Sequence, residues 1–224
     1  MSNNRSILWL RWIAANGCSE LVVLVATFAT IGYLMIRIDV GHPAGILLSF
    51  AITVASGTIE ATLVGSAQWW AMHAWFPRIG RMAWWRATLV GALFGYVLVY
   101  LPSTLMSMSF RMGKVAAHTL AFEPPLWTTL LQAAVLGAAA GALLSFAQWL
   151  VLRDRARQAG LWIPVNMLAW ACGMPVIFRG MDLAFKQNEI WQFVLVVGGA
   201  TLAAGLVVGA INGWFLVVLA GEKT

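Results

Sequence analysis

Six apolar segments, each long enough to cross a membrane as a helix, dominate this sequence. A helix needs about 20 apolar residues to cross a hydrocarbon layer about 30 Å thick. The segments span residues 9–36, 44–72, 83–108, 125–152, 161–179 and 190–219. Charged residues make up only 10% of the chain, whereas soluble domains carry about 25%. We therefore expect an all-α membrane protein in which residues 1–224 form a single transmembrane domain of six helices.

Odd-numbered and even-numbered segments carry different motifs, and each motif occurs three times. In the odd segments a tryptophan stands four residues before Asn or Thr: Trp12 and Asn16, Trp84 and Thr88, Trp162 and Asn166. In the even segments two small residues four apart are followed three residues later by Gln or Asn: Ala61, Gly65 and Gln68; Gly141, Ser145 and Gln148; Gly205, Gly209 and Asn212. This repetition predicts three related helical hairpins.

The repeated residues allow a structural and a functional interpretation. Small residues four apart let two helices approach closely, and a Gln or Asn one turn further on can form a hydrogen bond across that contact. Tryptophans near segment ends are typical anchors at the membrane–water interface. The alternative is a polar ring that gates the cytoplasmic mouth of a central path. The ring would contain Trp12, Gln68, Trp84, Thr88, Gln148, Trp162, Asn166 and Asn212.

Two glutamates interrupt the first copy of the repeat. Glu20 lies eight residues after Trp12, and Glu60 lies eight residues before Gln68. Because the first two segments run in opposite directions, both carboxyl groups should reach the same depth, about 12 Å from the tryptophan level at 1.5 Å per residue. No Lys, Arg or His occupies the middle of any segment. An isolated carboxylate there costs about 3 kcal/mol or more, so we expect at least one of the pair to be protonated.

Polar residues at helical spacing accompany the acid pair on the first three segments. They are Asn16 and Thr27; Ser49, Thr53 and Ser56; and Tyr96, Tyr100, Ser103 and Ser107. Three interpretations remain open. These side chains form hydrogen bonds between helices, or they line a hydrated half-path from the outer face to the glutamates, or they form a docking face on which the acids meet a basic residue of another subunit.

The distribution of basic residues predicts the orientation. Nine lie on the side that contains both termini and five on the other, so we expect the N- and C-termini to be cytoplasmic. The nine are Arg5, Arg11, Arg78, Arg81, Arg86, Arg153, Arg155, Arg157 and Lys223. On the outer side, residues 106–121 and 178–190 show polar stripes at helical spacing, which predict two short amphipathic interfacial helices. Asp182 and Lys186 are spaced for an ion pair.

The sequence shows no recognised enzyme motif and no cluster of metal-ligand residues. We therefore predict no cofactor and no metal, and we rank an enzyme or lipid-handling role low. The net charge of +6 does not indicate a nucleic-acid partner, because the chain is too apolar. Basic residues at segment ends fit contact with anionic lipid instead.

The Gln-Trp pairs after small-x3-small, followed by a basic loop and Trp-x3-Asn, resemble a loosely defined set of uncharacterised bacterial multi-pass membrane proteins. The resemblance covers residues 57–95 and 137–173 most clearly. It implies a multi-pass location in the bacterial inner membrane and carries no known activity. Short loops favour an accessory or assembly subunit of a larger membrane complex, with another protein or further copies of the chain as partner. The alternative is a small proton- or cation-coupled carrier or ion path that uses Glu20 and Glu60.

Overall fold

The computed structural model describes residues 2–35, 38–39, 41–112 and 124–221, and the described residues form six long α-helices without a β-strand. The helices are α1 (Ser2–Met35), α2 (Pro43–Met72), α3 (Arg81–Arg111), α4 (Leu126–Leu152), α5 (Trp162–Ala184) and α6 (Ile190–Gly221). A short 3-10 turn, Ala159–Leu161, leads into α5. Five helices, α2 to α6, are long and apolar enough to cross a membrane. The fold therefore fits a polytopic membrane protein, with α1 of comparable length beside them.

Local sequence explains where α2 begins. Pro43 occupies the first helical turn, where its missing N–H costs no hydrogen bond. The ring of His42 caps the helix, since its Nδ1 accepts a hydrogen bond from the backbone N–H of Ala44 at 3.2 Å. The six predicted segments correspond to the six helices. The largest differences are at the start of α1 and the end of α5.

Within the described residues, neither of the two predicted amphipathic segments forms a helix of its own. Residues 106–111 are the last turns of α3, and 113–123 lie outside the described residues. Residues 178–184 are the last turns of α5. A polar stripe at helical spacing fits the emerging end of a long helix as well as a short one, and α5 continues through Gly180 to Ala184. The predicted pairing of Asp182 with Lys186 is confirmed, at 3.0 Å.

The six helices form a closed ring. Each helix packs against its neighbours in the chain, and α6 also packs along α1. At one end of the ring a buried apolar cluster joins the start of each odd helix to the end of each even helix. It includes Leu8, Trp12, Met72, Trp84, Leu152, Trp162 and Leu216. We call this end of the bundle the tryptophan end.

The two loops at the tryptophan end have the same backbone hydrogen-bond pattern. The carbonyl of Met72 accepts from Trp75 and Phe76, and that of Leu152 accepts from Arg155 and Ala156. One turn later, Ile79 donates to the carbonyl of Phe76, and Ala159 donates to that of Ala156. The turn that joins α2 to α3 therefore recurs between α4 and α5. No loop joins α6 to α1, where the two helix ends lie side by side.

Candidate functional site: a small polar cavity on the bundle axis

Three tryptophans, one from each odd helix, meet on the axis of the ring. The centroids of Trp12, Trp84 and Trp162 lie 6.0 to 6.3 Å apart, and each pair packs edge to face. All three are 0% exposed, so the interpretation of these residues as interfacial anchors is wrong. Trp214, by contrast, is 64% exposed on the outside of the bundle. The three rings close the tryptophan end with a plug of aromatic side chains.

Each of these indoles can be buried because its N–H group donates a hydrogen bond to a side chain on the preceding helix of the ring. Trp12 donates to Asn212 at 2.7 Å, Trp84 to Gln68 at 3.2 Å, and Trp162 to Gln148 at 3.0 Å. A tryptophan ring is mostly hydrocarbon with one donor, so a satisfied donor removes the cost of burying it.

The acceptors of these bonds belong to a second layer, which we call the amide ring. It consists of Asn16, Gln68, Thr88, Gln148, Asn166 and Asn212. In the amide ring, Gln68 donates to Asn16 at 2.9 Å, Gln148 to Thr88 at 3.1 Å, and Asn212 to Asn166 at 3.0 Å.

The members of the amide ring on the odd helices also form hydrogen bonds, to the backbone carbonyls of the three tryptophans. Asn16 donates to the carbonyl of Trp12, Thr88 to that of Trp84, and Asn166 to that of Trp162, at 2.8 to 3.0 Å. The three repeats thus share one closed circuit of hydrogen bonds. Every member of the amide ring is buried, so the circuit is shielded from solvent.

The small residues of the even helices bring this circuit together. A Cβ atom on Gly141 of α4 would lie 2.6 Å from the carbonyl oxygen of Asn166 on α5. On α6, a Cβ on Gly209 would lie 3.0 Å from the Cα of Ile13 on α1, and on α2 the corresponding Gly65 faces Thr88 of α3. In each repeat, therefore, the small-residue face of the even helix packs against the odd helix of the next repeat. Only residues without bulk permit that approach.

A cavity lies on the far side of the amide ring from the tryptophans. It leaves about 20 Å³ for the centres of water molecules, which is room for about one water. The six members of the amide ring form its floor, and a belt of Val64, Leu144 and Val208 follows one helical turn further on. These three stand four residues before the three even-helix amides. The belt was not predicted from the sequence, although its residues have a fixed spacing from the repeated amides.

The acid pair lies above this belt, at the opposite side of the cavity from its floor. Glu20 and Glu60 both line the cavity, together with Ala92 and Trp170 at positions that correspond to Glu20 in the other repeats. The hydrocarbon stem of Glu20 lies against Gly205 of α6. The structure thus brings the two sequence-selected acids into one site, and the other repeats contribute no charge to it.

Tyr96 is the partner of Glu60 on the neighbouring helix. Its hydroxyl donates to Glu60 Oε2 at 2.5 Å, and its ring packs over Gly57, which has no side chain to displace it. Tyr100 follows one turn further along α3, with its ring centroid 5.6 Å from that of Tyr96. The sequence placed both tyrosines on a polar stripe but did not identify the bond to Glu60.

Most of the other stripe residues line a cleft between α2 and α3. Ser49, Thr53, Tyr100, Ser103 and Ser107 line this cleft. Ser56 is buried between the cleft and Glu60, and its hydroxyl donates to the carbonyl of Thr53 at 2.7 Å. Asn16 belongs to the amide ring instead, and the side chain of Thr27 lies outside those described.

No group of three His, Cys, Asp or Glu side chains is placed to hold a metal ion in the described part of the chain. His42 and His73 serve local backbone contacts at the two ends of α2, where His73 Nδ1 lies 2.7 Å from the carbonyl of Trp70. The oxygen atoms that a bound ion would meet in the cavity therefore belong to the acid pair and the amide ring.

No known family model matches the chain, and neither curated proteins nor solved structures include a match.

Proposed function

We propose that this polytopic membrane protein is a small proton- or cation-coupled carrier or ion path, with Glu20 and Glu60 as its ion-binding groups. The observation that carries the proposal is the position of both carboxyl side chains on one small cavity at the axis of the bundle. Three-fold packing alone does not require an acid there, because Ala92, Trp170, Ala140 and Ala204 stand at the corresponding positions. The cost of the two acids in an apolar bundle indicates a role other than packing.

A pair of neighbouring carboxyl groups binds a positive charge reversibly. Two carboxylates that face one another repel, and a shared proton or a bound cation relieves the repulsion. Tyr96 adds a donor that fixes the orientation of Glu60. Such a pair takes up and releases an ion when its access to water changes, which is the step that coupled transport requires.

The two ends of the bundle differ, as is required if an ion reaches the acid pair from only one side of the membrane. Between the acid pair and the tryptophan end lie an aliphatic belt, the amide ring and the tryptophan plug. Toward the other end lies the hydroxyl-lined cleft between α2 and α3, whose lining includes Tyr100, the ring neighbour of Tyr96. We propose that the tryptophan end faces the cytoplasm of a bacterial inner membrane, on the basis of its excess of basic residues. The acids would then be reached from the outer side.

Ion flux into reconstituted vesicles tests this function. The wild-type protein should move protons or a monovalent cation down an imposed gradient, and Glu60→Gln should abolish that flux because one charge of the pair is lost. Glu189→Gln, at an exposed residue that precedes α6, is the matched control and should leave it intact. Parallel pH and sodium gradients identify the ion. Flux that survives Glu60→Gln and the Glu20→Gln, Glu60→Gln double change would exclude the proposal.

An accessory or assembly subunit remains the second candidate function. The observation that favours it is the brevity of the described loops, such as 73–80 and 153–158, which leaves the bundle surface as the main face for contacts. Purification in mild detergent distinguishes the two functions. A stoichiometric partner, with no flux from the protein alone, would establish the subunit role. A lone protein that moves ions would exclude it.

A further inference from the structure

The cleft between α2 and α3 is large enough to hold a small molecule. Its volume is about 540 Å³, within the range of about 300–1,000 Å³ that is usual for ligand pockets. Helical spacing relates it to the central cavity, since Thr53 is seven residues from Glu60 and Ser103 is seven residues from Tyr96. The cleft thus continues the same faces of α2 and α3. It is lined by Ile46, Ser49, Phe50, Thr53, Tyr100, Ser103, Thr104, Met106, Ser107, Phe110 and Arg111.

Hydroxyl groups in the cleft wall have unused hydrogen-bonding capacity. Ser103 and Thr104 both donate to the carbonyl of Tyr100, and Ser107 donates to that of Ser103, which leaves their oxygen lone pairs as acceptors. The hydroxyl oxygen of Ser49 is buried and has no partner in the described part of the chain. Buried polar atoms are nearly always paired in proteins, so the Ser49 hydroxyl is a candidate ligand contact.

The described residues that line the cleft carry a positive charge. Arg111, in the last turn of α3, is the one charged residue among them. No Asp or Glu of the described ranges forms a salt bridge with Arg111. A guanidinium group presents a planar set of donors that suits phosphate and carboxylate groups. Beside it lie apolar side chains, among them Phe50, Met106 and Phe110.

We infer that this cleft binds an anionic amphiphile, a molecule with a phosphate or carboxylate headgroup on a hydrocarbon chain. The headgroup lies at Arg111 and within reach of the serine hydroxyls, and the hydrocarbon packs on Ile46, Phe50, Met106 and Phe110. The described lining residues include no carboxylate that would hold a metal cation in the cleft. The inference goes beyond the ion site and stands on different residues, so it holds whether or not the acid pair moves ions.

Ligand-induced thermal stabilisation in a neutral detergent tests the inference. Decyl phosphate, added below its micelle-forming concentration, should raise the melting temperature saturably, whereas inorganic phosphate and decyl maltoside should not. Arg111→Gln should weaken decyl phosphate binding about tenfold or more, since a hydrogen-bonded charge contact is lost. Arg81→Gln, on the same helix at the tryptophan end, is the matched control. Equal binding by the two variants, or saturable binding of inorganic phosphate alone, would overturn the inference.

A variant that narrows the cleft tests the binding position without a change in charge. Ser107→Phe should reduce decyl phosphate binding by filling the cleft, without removing a charge or touching Glu60. Unchanged binding by this variant would place the amphiphile elsewhere and overturn the inference. Native mass spectrometry identifies the source of the ligand. It detects which lipids stay bound after the protein is purified from mixed phosphatidylglycerol and phosphatidylcholine membranes. Retained phosphatidylglycerol that is lost in Arg111→Gln identifies a bilayer lipid, and an empty protein that still binds decyl phosphate identifies a water-borne amphiphile.

Discussion

At the scale of single residues, the amide ring shows how a polar layer is made stable inside an apolar bundle. Gln148 accepts from Trp162 and donates to Thr88, so one side chain connects three helices. Each of these donors and acceptors is buried. A buried polar group without a partner costs about 1–3 kcal/mol. The circuit therefore penalises any register in which one helix has slipped past its neighbour.

Removal of one amide should be much more costly than the same change on the lipid-facing side. We expect Gln148→Leu to lower the free energy of unfolding by about 1–3 kcal/mol, because Trp162 loses its acceptor and Thr88 a donor. Gln132→Leu, at an exposed position of the same helix, should have little effect or stabilise slightly. Unfolding of both variants in mixed micelles measures the difference. Equal stability of the two would show that the circuit contributes nothing measurable.

The residues of the site were predictable from the sequence, but their contacts were only partly so. The repeat identified the amides and the two glutamates through their register. It did not show that Trp12, Trp84 and Trp162 turn inward, because an indole at a segment end has the same pattern in an interfacial belt and in a plug. The bond from Tyr96 to Glu60 depends on the rotation of α3 against α2. That rotation is set by tertiary packing, which no single-helix pattern encodes.

At the scale of helices, glycine positions set how closely neighbours approach. Gly141 and Gly199 both lie within helices, but their surroundings differ. A Cβ on Gly141 would meet the backbone of α5 at 2.6 Å, whereas a Cβ on Gly199 would meet nothing within 4 Å. A backbone carbonyl cannot move aside as the end of a flexible side chain can. The cost of the same added methyl group should therefore depend on which glycine receives it.

This contrast gives a matched pair of variants. We expect Gly141→Ala to destabilise the protein by about 1–3 kcal/mol through overpacking. Gly199→Ala should be neutral or stabilising by up to about 1 kcal/mol, since alanine is the better helix former. Thermal unfolding in one detergent compares them directly. A Gly141→Ala protein as stable as the wild type would mean that α4 and α5 tolerate a wider separation than the structure shows.

Helix ends show where sequence reasoning is weakest. The hydrophobic periods placed all six helices, because an apolar run of this length has few alternatives. The ends of α3 and α5 were drawn too early, since a helix that leaves the apolar layer keeps its backbone hydrogen bonds while its side chains become polar. Arg111 and Asp182 thus lie on long helices, and Arg179 and Lys186 both pair with Asp182 at the end of α5.

At the scale of the whole molecule, the ring combines a symmetric closure with an asymmetric site. The tryptophan plug and the amide ring use equivalent residues from all three repeats. The acid pair and the cleft belong to α1, α2 and α3 alone. Symmetric layers suit a seal, because identical contacts around an axis leave no gap on one side. A binding site needs the opposite, a place where one repeat differs from the others.

Removal of one ring from the tryptophan plug tests whether the plug blocks the passage of protons. We expect Trp162→Ala to raise proton leakage of reconstituted vesicles, since it removes one of three rings that fill the axis. Trp214→Ala removes the same side chain from the outer surface and should leave leakage at the wild-type level. A pH-sensitive dye trapped inside the vesicles reports both rates. Identical leakage of the two variants, in folded protein, would show that the plug does not control passage.

The seam between α6 and α1 has a further consequence. There a Cβ on Gly221 would lie 2.7 Å from Nη2 of Arg5, so the chain's first and last helices are adjacent although no peptide connects them. The other two seams at this end carry a loop of eight or nine residues, 73–80 and 153–161. The ring should therefore tolerate circular permutation. A chain that began with α3, joined α6 to α1 by a short loop and ended with α2 would form the same six-membered barrel of helices.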